Sequence, residues 1–317
     1  MRKILFTFIC ALLALTTFAQ QEQQYTQFMY NKLSYNPGYA GSHETGCFTG
    51  IIRSQWMGLN GAPNTQVLSF DMPVRNQRVG IGANITRNTI GISERLTLDG
   101  VYSYRIRMAN GTLGLGVQAS IRYLSNDYTD PDLISTVPLT ADGSIPVGTR
   151  SKYVPNFGAG LYFNNDKLYI GASIPRFFTN NIDFNEVGTI LSEEKVHGFI
   201  MAGYRFDIND NVAFKPQILM KYAANSPFDA DLNASFVFNK KYVAGLTYRI
   251  GGSTQQGAGE SLDLMVGAQI TNHVLFGLSY DITLSEIKDY SNGSIEGVVR
   301  YCIGKSEGED IVNPRFF

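Results

Sequence analysis

Apolar residues recur at every second position through most of this chain, and the pattern restarts after short polar breaks. It is clearest between Ser261 and Leu284. There Leu262, Leu264, Val266, Ala268 and Ile270 alternate with Ser261, Asp263, Gly267 and Gln269, and after Thr271-Asn272 the series resumes at Val274, Phe276, Leu278, Tyr280, Ile282 and Leu284. A period of two is that of a β-strand, and a two-residue polar break between such runs predicts a hairpin. The same reading from Cys47 onward predicts about fourteen strands, at 47–57, 64–73, 77–88, 93–108, 111–124, 153–163, 166–174, 195–207, 211–223, 228–238, 241–251, 260–270, 273–284 and 294–303. Most have the roughly 9–11-residue length, or slightly more, that a tilted strand needs to cross hydrocarbon. The strands at 47–57, 64–73 and 153–163 alternate least regularly.

The connections carry a second signal. Arg75-Asn76, Ala109-Asn110, Asn164-Asn165, Asn209-Asp210, Asn239-Lys240 and Thr271-Asn272 are tight, and each joins an even-numbered strand to the next odd one. The long connections, 125–152, 175–194, 252–259 and 285–293, all join odd to even. Alternating short and long turns distinguish the periplasmic and extracellular ends of an outer-membrane barrel. The expected fold is therefore an all-β transmembrane barrel of antiparallel strands over residues 47–303. A soluble barrel with an apolar interior usually closes with about eight strands, which leaves too many here.

Composition agrees once the alternation is known. Of 317 residues 44% are hydrophobic and only 17% charged, with 18 Tyr and 20 Phe against one Trp. The mean hydropathy lies near zero, and no apolar run long enough for a spanning helix follows residue 19. The net charge of −1 and the lack of a basic run leave no electrostatic footprint for nucleic acid. Arg2-Lys3, the apolar run Ile4–Leu15 and Thr17-Phe18-Ala19 predict a signal peptide over 1–19. The remaining parts are a polar, aromatic segment at 20–46 and a C-terminal periplasmic tail at 304–317. Export and barrel pattern together imply the outer membrane, with the lipid bilayer as solvent for the apolar face.

On the opposite parity stand Arg53, Asp99, Arg105, Arg107, Arg122, Arg249, Asp263, Asp281 and Arg300. An Arg or Lys facing lipid at mid-depth costs about 2–4 kcal/mol, so these charges are expected in a hydrated lumen. Asp263 and Asp281 are then candidate partners for Arg249 or Arg300. Cys47 opens the first strand and Cys302 lies near the end of the last, both on the lumen parity at the periplasmic end. In an oxidising compartment they can bridge the barrel seam. Shear between the strand ends would instead leave two free thiols.

No constellation for chemistry emerges. His43, His197 and His273 are scattered without metal spacing, and no nucleophile, zinc or phosphate-loop motif is present, so neither metal nor cofactor is expected. Tyr25-Thr26-Gln27 and Ser291-Asn292-Gly293 are similar to elements of outer-membrane phospholipases. The histidine needed before that serine is missing, Glu286-Ile287-Lys288 standing in the region, and a serine without its base is not activated. The expectation is a protein that is not an enzyme.

The chain ends carry a family resemblance. Tyr25-Thr26-Gln27-Phe28-Met29-Tyr30-Asn31, then Asn36-Pro37-Gly38-Tyr39-Ala40-Gly41-Ser42, resembles the opening of the PorP/SprF family of type IX secretion system membrane proteins. Arg53-Ser54-Gln55-Trp56 with Gly61-Ala62-Pro63, Val299-Arg300-Tyr301-Cys302 and the terminal Asn313-Pro314-Arg315-Phe316-Phe317 resemble later parts of it. Gly38 stands where alanine is commoner. The resemblance implies an outer-membrane barrel that works with type IX secretion, and with gliding motility in some members. Such a barrel would bind, help export or anchor a secreted cell-surface protein, with type IX substrates or machinery proteins as partners. A ring of about fourteen strands is too wide for its own side chains to fill. The segment 20–46 is long enough to enter it, and an ordered plug built on Tyr25, Gln27, Phe28, Tyr30, Asn36, Pro37 and Tyr39 is expected over a flexible tail. Trp56 joins them as a candidate plug or partner contact. Loops 125–152 and 175–194 are the candidate outer contact surface, or else only shield the mouth. The alternative function is a passive porin for small solutes.

Overall fold

The computed structural model describes residues 22–43, 45–130, 148–184, 193–223, 226, 228–251 and 259–303. The signal-peptide region, the C-terminal tail and parts of the loops 125–152, 175–194 and 252–259 lie outside the described residues.

The strands are β1 (Gly46–Ser54), β2 (Asn64–Val74), β3 (Val79–Ile90), β4 (Ser93–Met108), β5 (Gly111–Asp127), β6 (Thr149–Asn164) and β7 (Leu168–Ile174). Next comes β8, His197–Tyr204 continued by Phe206–Asn209 across Arg205. They are followed by β9 (Val212–Ala223), β10 (Asp229–Phe238), β11 (Tyr242–Ile250), β12 (Ser261–Gln269), β13 (Val274–Thr283) and β14 (Ser294–Ile303). Each pairs antiparallel with its sequence neighbours. The ring closes where β1 pairs with β14, from Gly46 against Ile303 to Ser54 against Ile295. This is a closed fourteen-stranded antiparallel barrel. At its seam Cys47 faces Cys302 in register, and the two sulfurs are bonded.

The short turns share one end. Asn239 and Lys240 both have positive φ, the type I′ geometry that matches strand twist, and Arg75, Asn76 and Gln77 turn in the same left-handed region. At the other end strict alternation of short and long fails twice: β9 and β10 are joined by residues 224–228, and β3 and β4 through Gly91-Ile92 alone. Gly91 there has φ +51°, and its N–H reaches the Gly61 carbonyl of the β1–β2 connection. That hairpin tip leans on its neighbour, so its own loop is short. β5 and β6 also rise beyond their expected limits, pairing out to Asp127 against Thr149, which shortens the 125–152 connection to 128–148. A two-residue ladder, Asn180–Asn181 with Glu193–Glu194, lies between β7 and β8 outside the barrel sheet.

The face pattern follows the alternation. On β12 and β13, Leu264, Val266, Phe276, Leu278, Tyr280 and Ile282 point outward, while Asp263, Met265, Ser279 and Asp281 point inward and are buried. Asp263 is 0% exposed and its neighbour Leu264 is 47%. Outward-facing apolar side chains on every strand meet hydrocarbon, which has no partner for a backbone N–H or C=O, and the closed ladder supplies those partners. Replacing outward Leu264 by arginine is expected to lower barrel stability by about 2–4 kcal/mol, read by urea titration of the protein folded into vesicles.

Candidate functional site

Residues 22–43 lie within the ring, and nearly all are buried. Three short 3-10 turns, Phe28–Tyr30, Lys32–Ser34 and Pro37–Tyr39, give the segment its compact path. The third is set by its own sequence. Asn36 accepts the Gly38 N–H at 2.8 Å on Oδ1, Pro37 fixes the next φ, and Asn36 Nδ2 donates to the Leu161 carbonyl of β6 at 2.9 Å.

This turn rests on a bed of inward-facing glycines. A Cβ at Gly114 or Gly116 of β5 would overlap Gly38 or Pro37; one at Gly160 of β6 would overlap Asn36, and one at Gly80 of β3 would overlap Ala40. Gly38 itself is held this way, since a Cβ there would sit 2.8 Å from the Tyr162 nitrogen. Below the turn Tyr39, Tyr162 and Tyr169 pack in sequence, with centroids 5.2 and 5.9 Å apart. Phe28, Met29, Tyr30, Leu33 and Tyr35 meet the inward Ile51, Val67, Val101, Phe199, Met201, Leu219, Met265 and Leu275 in one apolar cluster.

Toward the long-loop end the contacts become ionic. Glu296 of β14 accepts the backbone N–H of Thr26 at 2.9 Å and of Gln27 at 2.8 Å. Arg53 of β1 lies 2.6 Å from Asp281 and 3.4 Å from Glu296, and donates to the Thr26 hydroxyl at 2.9 Å. The Thr26 hydroxyl in turn donates to Asp281. Asp263 stands directly across from Asp281, and Arg249 serves the other side, 2.8 Å from Asp231 and 3.8 Å from Asp263. Gln24 donates to Asp229 at 2.8 Å. Glu22 sits 3.0 Å from Arg122 and 3.4 Å from Arg176; Arg122 also pairs with Glu194, and Arg176 with Asp99 at 3.6 Å. Burial alone would raise the Glu22 carboxyl, but Arg122 and Arg176 outweigh it and hold it well below the usual carboxylate range.

Toward the short-turn end the balance is cationic. Lys32 is fully buried, with its Nζ 3.9 Å above the Tyr169 ring, 5.6 Å from that of Tyr39, and with no hydrogen-bond acceptor among the described residues. Arg300 donates to the Tyr30 carbonyl and to Thr49. His43 lies between Tyr39 (3.1 Å) and Asp71 (3.2 Å). Its Nδ1 faces the Asp71 carboxylate, which can only accept, and its Nε2 faces the Tyr39 hydroxyl.

The structure thus gathers Tyr25, Gln27, Phe28, Tyr30, Asn36, Pro37 and Tyr39 inside the ring with Arg53, Asp99, Arg105, Arg122, Arg249, Asp263, Asp281 and Arg300. Three expectations change. Trp56 lies in the β1–β2 connection at the long-loop end, its N–H donated to Ser294, a place that suits a partner contact and not a plug contact. Arg107 has lumen parity but stands past the lumen at the inner rim, exposed and donating to the Asn76 carbonyl. Asp281 pairs with Arg53 instead of Arg249 or Arg300. Sequence reasoning also missed Glu22, Thr26, Lys32, Glu194 and the glycine bed. The repeated glycines on the inward parity of β3, β5 and β6 were the available signal. Among the described residues no group of three or more His, Cys, Asp or Glu has metal-site geometry.

A closed antiparallel ring with an apolar exterior and a filled, charged interior defines an outer-membrane β-barrel. A family model described as the type IX secretion system membrane protein PorP/SprF matches residues 17–301, and the chain belongs to that family. Among solved structures, the CymD monoaromatic hydrocarbon channel has a TM-score of 0.53 at 13% identity, over 91% of this chain and 95% of that one. The Ralstonia pickettii toluene transporter TbuX gives 0.50 at 12%, over 86% and 92%. At that identity the likeness is one of fold. No curated protein matches the chain.

Two substitutions test the seating. Gly116→Val is expected to leave the barrel inserted but unseat the segment, so that trypsin, which finds Lys32 buried in the parent, cleaves after it. Arg53→Met strands Asp281 and Glu296 as buried acids and is expected to cost about 3–5 kcal/mol in urea titration.

Proposed function

We propose that this PorP/SprF-family barrel binds, helps export or anchors a secreted cell-surface protein of the type IX system, and that residues 22–43 close its lumen until that partner engages. The observation that carries the reading is the clamp on the segment's backbone. Glu296 receives two consecutive N–H groups, from Thr26 and Gln27, while Arg53 neutralises Glu296 and Asp281 beneath them. Charge-assisted bonds of this kind are among the stronger ones a protein makes. A segment held so, with its apolar side chains packed on the wall, obstructs the free solute passage a porin needs.

The connections at the long-loop end are the surface available to a partner outside the cell. Type IX substrates and machinery proteins are the partner class that membership of the family supports, and gliding motility is a property of some relatives. Planar-bilayer recording separates this reading from a passive porin. The intact protein is expected to be silent, and deletion of residues 22–43 to give a steady conductance. A steady open pore in the intact protein would favour the porin and overturn the proposal.

A further inference from the structure

The inward glycines of β3, β5 and β6 are accounted for by the segment they receive, but Gly50 of β1 and Gly297 of β14 face outward. Neither has a positive φ, and neither is crowded by a neighbour. A Cβ at Gly297 would meet nothing within 4 Å, and one at Gly50 only the Val299 carbonyl oxygen, at 4.0 Å. Glycine inside a strand weakens it and commonly marks a place that something approaches closely. The two are diagonal neighbours across the seam, since Gly50 pairs with Val299 and Ile52 with Gly297. Their missing side chains open a groove of about 630 Å³ on the outer wall, lined by Ile52, Leu68, Ile85, Leu96, Phe276 and Val299. It crosses the seam obliquely. Phe276 lies two residues from the inner end of β13, while Gln66 and Arg87 lie two and three residues from the outer ends of β2 and β3. At that outer end the lining turns polar. Arg87 pairs with Glu94 at 2.5 Å through its Nε edge, and both side chains are exposed. That pair engages neither Nη group of Arg87 and only one Glu94 oxygen.

We infer that this groove is a lipid site, and that it takes one acyl chain of a zwitterionic phospholipid of the phosphatidylethanolamine type. Hydrocarbon is the solvent of this face. A trough left unfilled there would cost its lining the dispersion contacts that the rest of the wall makes, so a chain fills it. The volume suits a single chain, within the roughly 300–1,000 Å³ of a small-ligand site, and not the many chains of a lipid A. Charge selects the headgroup. An arginine grips a phosphate with paired N–H groups, and Glu94 beside it accepts an ammonium. A purely anionic headgroup would meet the same carboxylate without a cation to offer it. The site rests only on the barrel's place in the membrane, and neither the seal nor the secreted partner enters it.

For the test, protein purified from membranes is exchanged into vesicles of equal parts phosphatidylethanolamine and phosphatidylglycerol, extracted in mild detergent and weighed by native mass spectrometry. The parent is expected to retain one phosphatidylethanolamine. Gly50→Leu with Gly297→Leu fills the groove and is expected to lose it, whereas Gly100→Leu, at an outward glycine of β4 outside the groove, keeps it. Arg87→Leu leaves the groove open but removes the phosphate contact, and is expected to retain both lipids alike. Should the double glycine variant fail to insert, Arg87→Leu carries the test alone. Both lipids retained alike by the parent, or phosphatidylethanolamine retained by the double variant as by the parent, is the pattern of an annulus and overturns the inference. A parent that retains only phosphatidylglycerol, or no lipid, also overturns it. A phosphatidylethanolamine preference that survives in Arg87→Leu overturns the headgroup assignment.

Discussion

Hydrocarbon offers no hydrogen bond to a peptide group, and the rest of this structure answers that constraint. A sheet in lipid must have no edge, so the last strand returns to the first, and β14 completes the ladder of β1. Closure at fourteen strands then sets a second requirement. The interior is wider than inward side chains from the wall alone can span. Residues 22–43 occupy that space, and the wall is shaped to receive them.

Two kinds of wall position do the receiving. Where the segment's backbone comes closest, at Pro37–Gly38 and Ala40, the wall carries glycine, because any Cβ would overlap the chain. Where it presents aromatic rings, the wall carries Ile51, Val67, Leu219 or Met265. Higher in the ring the charges are mostly paired within the wall, as Arg53 with Asp281 and Arg249 with Asp231, and Glu22 of the segment joins them on Arg122 and Arg176. Buried ion pairs of this kind add little net stability, but breaking one is costly, which makes them devices of specificity more than of strength. Lys32 departs from that pattern, resting on the face of Tyr169 instead of on an acid.

The barrel was largely legible in the sequence because its exterior has one solvent and one rule. Alternation found all fourteen strands, and turn lengths found the two ends. The lumen has several solvents at once. Inward residues meet water, charge, glycine-thin backbone contacts or an apolar core, so their identities follow no single pattern. That is why β1, β2 and β6 looked irregular. Ile51, Val67, Val154 and Tyr162 put bulky apolar groups on the inward parity beside outward ones. The partners of individual charges were hidden for a related reason. Asp281 meets Arg53 two strands away, around the seam, and sequence spacing shows nothing of that distance. Trp56 was read as a plug or partner contact from its place in a family motif, and only its loop's place at the outer end separates the two.

The sulfur bridge at the seam has a bearing on traffic. Every other pair of neighbouring strands is already joined by a turn or a loop; only β1 and β14 meet without a chain connection between them. Bonding Cys47 to Cys302 turns 255 residues of sequence separation into a covalent hoop. A hoop cannot unzip at its seam to let cargo slip sideways into the bilayer. Neither the inner segment nor anything else in this lumen leaves through the wall between β1 and β14.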